Sequence, residues 1–229
     1  MALLLCYGGF LVFVAASVML GGDITVYLFI LSIFLPSLSV HEYAHALVAY
    51  IFGDDTAARM GRMTLNPIAH IDLIGTIILP LIAHFGWAKP VPVNFSALNK
   101  RQIFMVAAAG PASNLLLVLA LTISFHVFRL GTIPSIAGFI SLAVLYNLIL
   151  AVFNLLPIPP LDGSKMVYAS LKSPDAIAAY RYFARFGIFI LIGFLIGFLR
   201  FDGFRRIVLR IVLPVVERLY ALLGLPLPF

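Results

Sequence analysis

His41-Glu42-Tyr43-Ala44-His45 sits inside an apolar run, Val26 to Phe52, and decides how the rest of the chain reads. Two histidines four positions apart on a helix lie on one face, close enough to share a metal ion. Glu42 points beside that face, placed to hold a metal-bound water and take its proton. A glutamate and two histidines are costly to bury in a hydrophobic segment without a use. That cost weighs against a chance match in a soluble helix and against a polar packing cluster.

The surrounding composition gives this motif its setting. Of 229 residues, 63% are hydrophobic and only 10% are charged, with a mean hydropathy of +1.12. Soluble domains carry about 25% charged residues. Several apolar runs reach or approach the ~20 residues that cross a bilayer. The expected fold is therefore an all-α polytopic membrane protein, a single domain over 1–229 with a core at 25–170 and C-terminal helices at 180–223. About six transmembrane segments are expected, with a small β-rich or re-entrant region between the second and third. The net charge of +6 suits basic loops facing the anionic cytoplasmic leaflet and calls for no nucleic acid. Cys6 is the only cysteine, which excludes an internal disulfide. The N-terminus lacks a charged region and a small-residue cleavage site, so 2–20 reads as a retained first span.

The second span, 25–53, carries the motif; Pro36 lies inside it and Gly53-Asp54-Asp55 stops it. Residues 56–65 alternate loosely and read as a short surface strand. The apolar run 73–84 is too short to cross and reads as re-entrant or interfacial. Trp87 and Lys89 read as interfacial anchors, and Lys89-Pro90-Val91-Pro92-Val93-Asn94 as extended chain. His70 and His84 read as surface or structural residues rather than ligands. The third span, 104–128, begins with small residues, Ala107 to Ser113, that let helices approach closely. Asn114 within it is either an interhelical hydrogen bond or a contact with the active site. His126 reads as interfacial. Ser173-Pro174-Asp175 begins a short helix. Residues 186–199 and 205–223 are the last apolar segments, and Gly193 to Gly197 reads as local helix packing.

The fourth span, 135–156, runs into Asn154-Leu155-Leu156-Pro157-Ile158-Pro159-Pro160-Leu161-Asp162-Gly163. Three prolines in four residues cannot continue an ordinary helix. Irregular backbone at membrane depth persists only when buried in protein or lining a wet cavity. With Gly163, Asp162 could form a plain turn, but beside a motif that lacks a third ligand it is the candidate to join His41 and His45. Asn154 is a candidate to donate to a developing oxyanion or to orient a substrate strand, with helix capping as the alternative.

The loops 54–103 and 164–185 are rich in Lys and Arg, which places both in the cytoplasm. Arg200, Arg205, Arg206 and Arg210 conflict with this if 186–199 crosses. The second helix then enters from outside, and His41 lies ~24 Å along it, within a ~30 Å core and nearer the cytoplasmic side. Asp162 arrives at a similar depth.

Taken together, His41-Glu42-x-x-His45 and Asn154-x-x-Pro157-x-Pro159-x-Leu161-Asp162-Gly163 resemble the site-2 protease family of intramembrane zinc metalloproteases. Gly110-Pro111-Ala112-Ser113-Asn114, Leu65 to His70 and Trp87 to Asn94 resemble the family too, most closely its compact bacterial and archaeal members without PDZ or CBS domains. The resemblance implies one zinc ion per chain on His41, His45 and Asp162, with water as fourth ligand. It implies Glu42 as general base, a transmembrane helix of another protein as substrate, and a place in a bacterial or archaeal cell membrane. An extended segment near Pro90 to Asn94 is suited to hold an unwound substrate by strand addition. The rival readings are a membrane metal transporter or channel, which would need a polar relay across the membrane, and a non-cleaving relative. The intact ligand set with Glu42 argues against the second.

Overall fold

The computed structural model describes residues 24–72 and 89–228. Its helices are α1 (Ile24–Ile51), α2 (Thr56–Arg59), α3 (Lys100–Val127), α4 (Pro134–Asn154), α5 (Asp162–Ser170), α6 (Pro174–Ala184), α7 (Gly187–Arg200) and α8 (Asp202–Leu223). Three short 3-10 turns lie at Pro67–His70, Phe95–Ala97 and Leu130–Thr132. The expected first span at 2–20, the segment 73–84, His84 and Trp87 lie outside the described residues.

Helix α3 is the hub, packed against α1, α4 and α5. Its start is set by a capping box in which Asn99 and Gln102 exchange side-chain and backbone hydrogen bonds. Its buried face alternates small and polar residues, Ala107, Gly110, Pro111 and Asn114, so α1 comes close. Ile33, Phe34 and Leu38 of α1 pack on Ala143, Tyr146 and Leu150 of α4. Val118 and Phe125 of α3 meet Ala137 and Val144 of α4, closed by Val216 and Tyr220 of α8. Helix α1 runs unbroken through Pro36, and the hydroxyls of Ser37 and Ser39 donate back to the preceding turn.

Two helices end in the same way. After α1, Gly53 takes a left-handed conformation; its N–H donates to Tyr50 O and that of Asp54 to Ala49 O. After α2, Gly61 does likewise, with its N–H on Ala58 O and that of Arg62 on Ala57 O. Both are Schellman ends, which glycine permits without a Cβ penalty. The second overturns the expected strand at 56–65. Asp54 accepts the Thr56 N–H and hydroxyl, starting a helical turn that Gly61 then stops. No strand forms among the described residues, and 89–94 is irregular chain before the turn at Phe95.

Helix α7 buttresses the proline-rich loop. Ser173 caps α6 by accepting the Ala176 N–H, as its sequence predicts. A Cβ on Gly187 would lie 2.0 Å from Pro159 O, so the first residue of α7 presses directly on the loop leading to Asp162. Gly197 lies against Phe204, on which Phe194 stacks edge-on at 5.5 Å, so Gly197 serves local packing of α7 on α8, while a Cβ on Gly193 would meet nothing within 4 Å. Helices α3 and α4 are long and apolar enough to cross a membrane. Helices α6 and α7, bent by 50°, qualify only as a pair.

Candidate metal centre

Helix α1 presents His41 and His45 from successive turns, and the loop after α4 delivers Asp162 to the first turn of α5. His41 Nε2 and His45 Nε2 lie 3.1 Å apart. Asp162 Oδ2 lies 3.2 Å from the first and 3.1 Å from the second. All three residues are buried.

The far side of each ring settles its tautomer. His41 Nδ1 lies 2.6 Å from Asn114 Oδ1, and His45 Nδ1 lies 2.7 Å from the Val106 carbonyl. A carbonyl oxygen only accepts, so each ring carries its proton on Nδ1. The Asn114 amide is oriented in turn, because its Nδ2 donates to Asn147 Oδ1 at 2.9 Å and to Ser37 O. Asn147 Nδ2 donates to Ser37 Oγ and Ala143 O. Three lone pairs therefore converge with no proton to share. A proton bridging one pair would leave the other contacts repulsive, whereas a dication serves all three.

The dimensions fit zinc. Metal–ligand bonds of about 2.0–2.1 Å at a tetrahedral centre place ligand atoms roughly 3.3–3.4 Å apart, close to the observed triangle. Gly110 supplies the room: a Cβ there would stand 2.4 Å from His45 Nε2 and 2.5 Å from His41 Nε2. Three protein ligands leave a fourth position open, as in catalytic rather than structural zinc sites. Lys165 donates to Asp162 Oδ1 at 2.7 Å, which leaves Oδ2 alone for the histidines.

Glu42, almost fully buried, accepts the Val91 N–H on Oε2 at 2.7 Å. With His45 it lines a cavity of about 490 Å³, walled by Val91, Val93, Ala107 and Pro160 and reached by Lys165. Asn154 is buried at the end of α4, where its Nδ2 donates to Leu150 O at 2.9 Å. Its Oδ1 has no partner among the described residues, and it is not part of the cavity wall.

Sequence reasoning brings His41, His45, Glu42 and Asp162 to this place, and both readings of Asn114 are observed: it hydrogen-bonds across helices to Ser37 and Asn147, and it contacts the active site at His41. It missed Asn147, Asp54 and Arg62. Asn147 carried a signal: it precedes Asn154 by seven residues in α4, on the same face of an otherwise apolar helix. His70 is buried and structural, with Nε2 2.9 Å from Thr64 O. His126 contacts Leu223 O at the far end of α3. Burial alone would raise the Asp54 carboxyl, but the Thr56 hydroxyl, the N–H groups of Asn94 and Thr56, and the Arg59 charge together hold it below its ordinary value of 3.8.

Comparisons with known proteins agree with this geometry. The family model described as Peptidase family M50 matches residues 131–197, which include α4 and Asp162. YwhC of Bacillus subtilis, named as a candidate zinc metalloprotease, is 44% identical over 142 residues, covering 58% of this chain and 64% of that protein. The chain thus spans slightly under two thirds of YwhC. Rip2 of Mycolicibacterium smegmatis, similarly named, is 32% identical over 206 residues, covering 82% of this chain and 75% of that protein. MJ0611 of Methanocaldococcus jannaschii, also so named, is 30% identical over 129 residues, covering 56% of this chain and 62% of that protein. No solved structure gives a significant match.

Proposed function

Because this chain belongs to peptidase family M50, the site-2 protease family of zinc metalloproteases, we propose that it is an intramembrane endopeptidase that cuts transmembrane segments of other proteins. The observation that carries the reading is the meeting of His41, His45 and Asp162, from two separate helices, beside a buried Glu42 at a cavity. When bound, zinc supplies Lewis acidity that lowers the pKa of water to about 7 and polarises a peptide carbonyl.

The protein's own residues set up the rest. His41, His45 and Asp162 hold the metal, with Asn114, the Val106 carbonyl and Lys165 fixing their orientation. Glu42 takes the proton of the attacking water at one carboxylate oxygen, while the Val91 N–H keeps the other in place. It then passes that proton to the leaving amine. The oxyanion-donor role expected of Asn154 does not fit this geometry, because its Nδ2 is committed to Leu150 O and it stands off the cavity wall; its Oδ1 is the atom left to accept a hydrogen bond.

A helix hides its carbonyls, so the substrate must unwind to be cut. Prolines at 90 and 92 leave N–H groups only at 91 and 93, and Glu42 holds the first, so strand addition here would run through the Val93 N–H. Val93→Pro removes that group; unchanged cleavage by that variant would count against strand pairing. The bilayer is the working medium, with the basic loops in the cytoplasm and the site nearer that side. Helix α7 spans 14 residues, about 21 Å against a ~30 Å core, so it does not cross by itself. A non-crossing α7 would keep Arg200, Arg205, Arg206 and Arg210 on the side of the basic loops, whereas α6 and α7 as one bent span would not.

The test is cleavage of a model single-span substrate in liposomes by the wild type and by Glu42→Ala, each assayed for zinc. The wild type should cleave and the variant should retain zinc without cleaving. Equal cleavage by both rejects the mechanism.

A further inference from the structure

Two buried charges outside the metal centre grip one short piece of chain from both ends. Arg62, only 7% exposed, donates from Nη2 to Lys89 O at 2.6 Å and to Pro90 O at 3.2 Å. Asp54, only 6% exposed, accepts the Asn94 N–H on Oδ2 at 2.7 Å. Between these two grips lies Val91, whose N–H is the donor to Glu42 and whose side chain packs on Ala46 and Ala57. Prolines at 90 and 92 leave this chain few N–H groups for regular pairing, so side chains must hold it.

The two charges arise from one local device. Asp54 and Arg62 each follow a left-handed glycine, Gly53 and Gly61, as the last residue of a Schellman end. Each turn aims the next side chain back across the site. Burying a lone carboxylate and a lone guanidinium is costly unless each meets specific partners. Here the partners include backbone groups of a single stretch, Lys89 to Asn94, with the Thr56 N–H and hydroxyl on the other oxygen of Asp54.

We infer that Asp54 and Arg62 are positioning residues for catalysis: they clamp Lys89–Asn94 against α1 so that the Val91 N–H fixes the Glu42 carboxylate. They act through the backbone of Lys89–Asn94, and Arg62 also lines the cavity beside Glu42. The inference rests on the protease reading for its kinetic part, but its structural part stands apart from that reading.

The experiment uses the full chain in detergent, as wild type, Arg62→Met, Arg62→Lys, Asp54→Ala and Asp54→Asn. Three quantities are measured: zinc content, amide hydrogen exchange across 89–95 and across α3 and α4, and kcat and KM on a single-span substrate. Zinc content should stay at the wild-type level. Exchange in 89–95 should quicken roughly 10- to 100-fold in Arg62→Met and Asp54→Ala, the loss expected for a charge-assisted hydrogen bond, with α3 and α4 unchanged. Arg62→Lys should be intermediate, because an ammonium is a point donor without the guanidinium fork. The kinetic loss should fall mainly on kcat. Wild-type exchange rates at 89–95 in the zinc-loaded variants overturn the clamp, as does unchanged kcat with a loosened segment. Faster exchange spread over α3 and α4 in all four variants marks a folding role and overturns it too. If the wild type cleaves nothing, the protease reading fails, while exchange and zinc content still decide whether the clamp exists.

Discussion

Asn114→Ala should weaken zinc binding without touching a ligand. The His41 ring is fully buried, and its Nδ1 proton has one acceptor, Asn114 Oδ1 at 2.6 Å. Alanine leaves that N–H unpaired, a penalty of about 1–3 kcal/mol. At about 1.4 kcal/mol per decade the zinc dissociation constant should rise roughly 5- to 150-fold. This agrees with the 10- to 100-fold usual for the loss of such a supporting group. Asn147→Ala should give a smaller loss in the same direction, because its Oδ1 only holds the Asn114 amide in place. The Asn114→Ala/Asn147→Ala pair should be no weaker than Asn114→Ala alone, since both act along one chain of hydrogen bonds. Competition with a series of zinc chelators, read as residual metal per chain, measures all three. Zinc affinity within twofold of wild type in Asn114→Ala would refute the tautomer argument.

Gly110→Ala should abolish zinc binding, because its Cβ would stand 2.4–2.6 Å from atoms of both histidine rings; metal analysis of the purified variant reads this directly. Gly163→Ala should disrupt the fold around Asp162, since the Cβ would meet Leu155 O at 2.1 Å and Leu156 O at 2.6 Å, so the backbone of the turn after α4 would have to shift; the thermal midpoint should drop and zinc should be lost. Asp54 has a folded value below 3.8, so its stabilisation is present above that pH and is lost as pH falls through the folded value. Asp54→Asn should lower the thermal midpoint by about 2–4 °C for each 1 kcal/mol lost near neutrality, and the gap to wild type should narrow below about pH 4.

Chemistry was more legible in the sequence than local geometry. His41, His45 and Asp162 stand out because ionisable groups in apolar segments are costly, and the helix period together with the proline run says where they meet. The helix at Ser173-Pro174 and the stop at Gly53 follow from cap residues acting over a few positions. The strand expected at 56–65 failed because alternation is a weak signal over ten residues, and a side chain outside the pattern, Asp54, decided the turn. Arg62 counted only among the basic residues of the loop 54–103, because nothing local shows that its partners are carbonyls 27 and 28 positions away. Asn147 was passed over because a lone asparagine in an apolar helix has many uses, and only the neighbouring amide reveals this one.

Zinc-edge X-ray absorption on the purified protein tests the central claim most directly. The account predicts one zinc per chain, bound by two imidazole nitrogens and a carboxylate oxygen at about 2.0–2.2 Å, with the carboxylate signal lost in Asp162→Ala. Absence of zinc, a site with fewer than two imidazoles, or a spectrum unchanged by Asp162→Ala would contradict it.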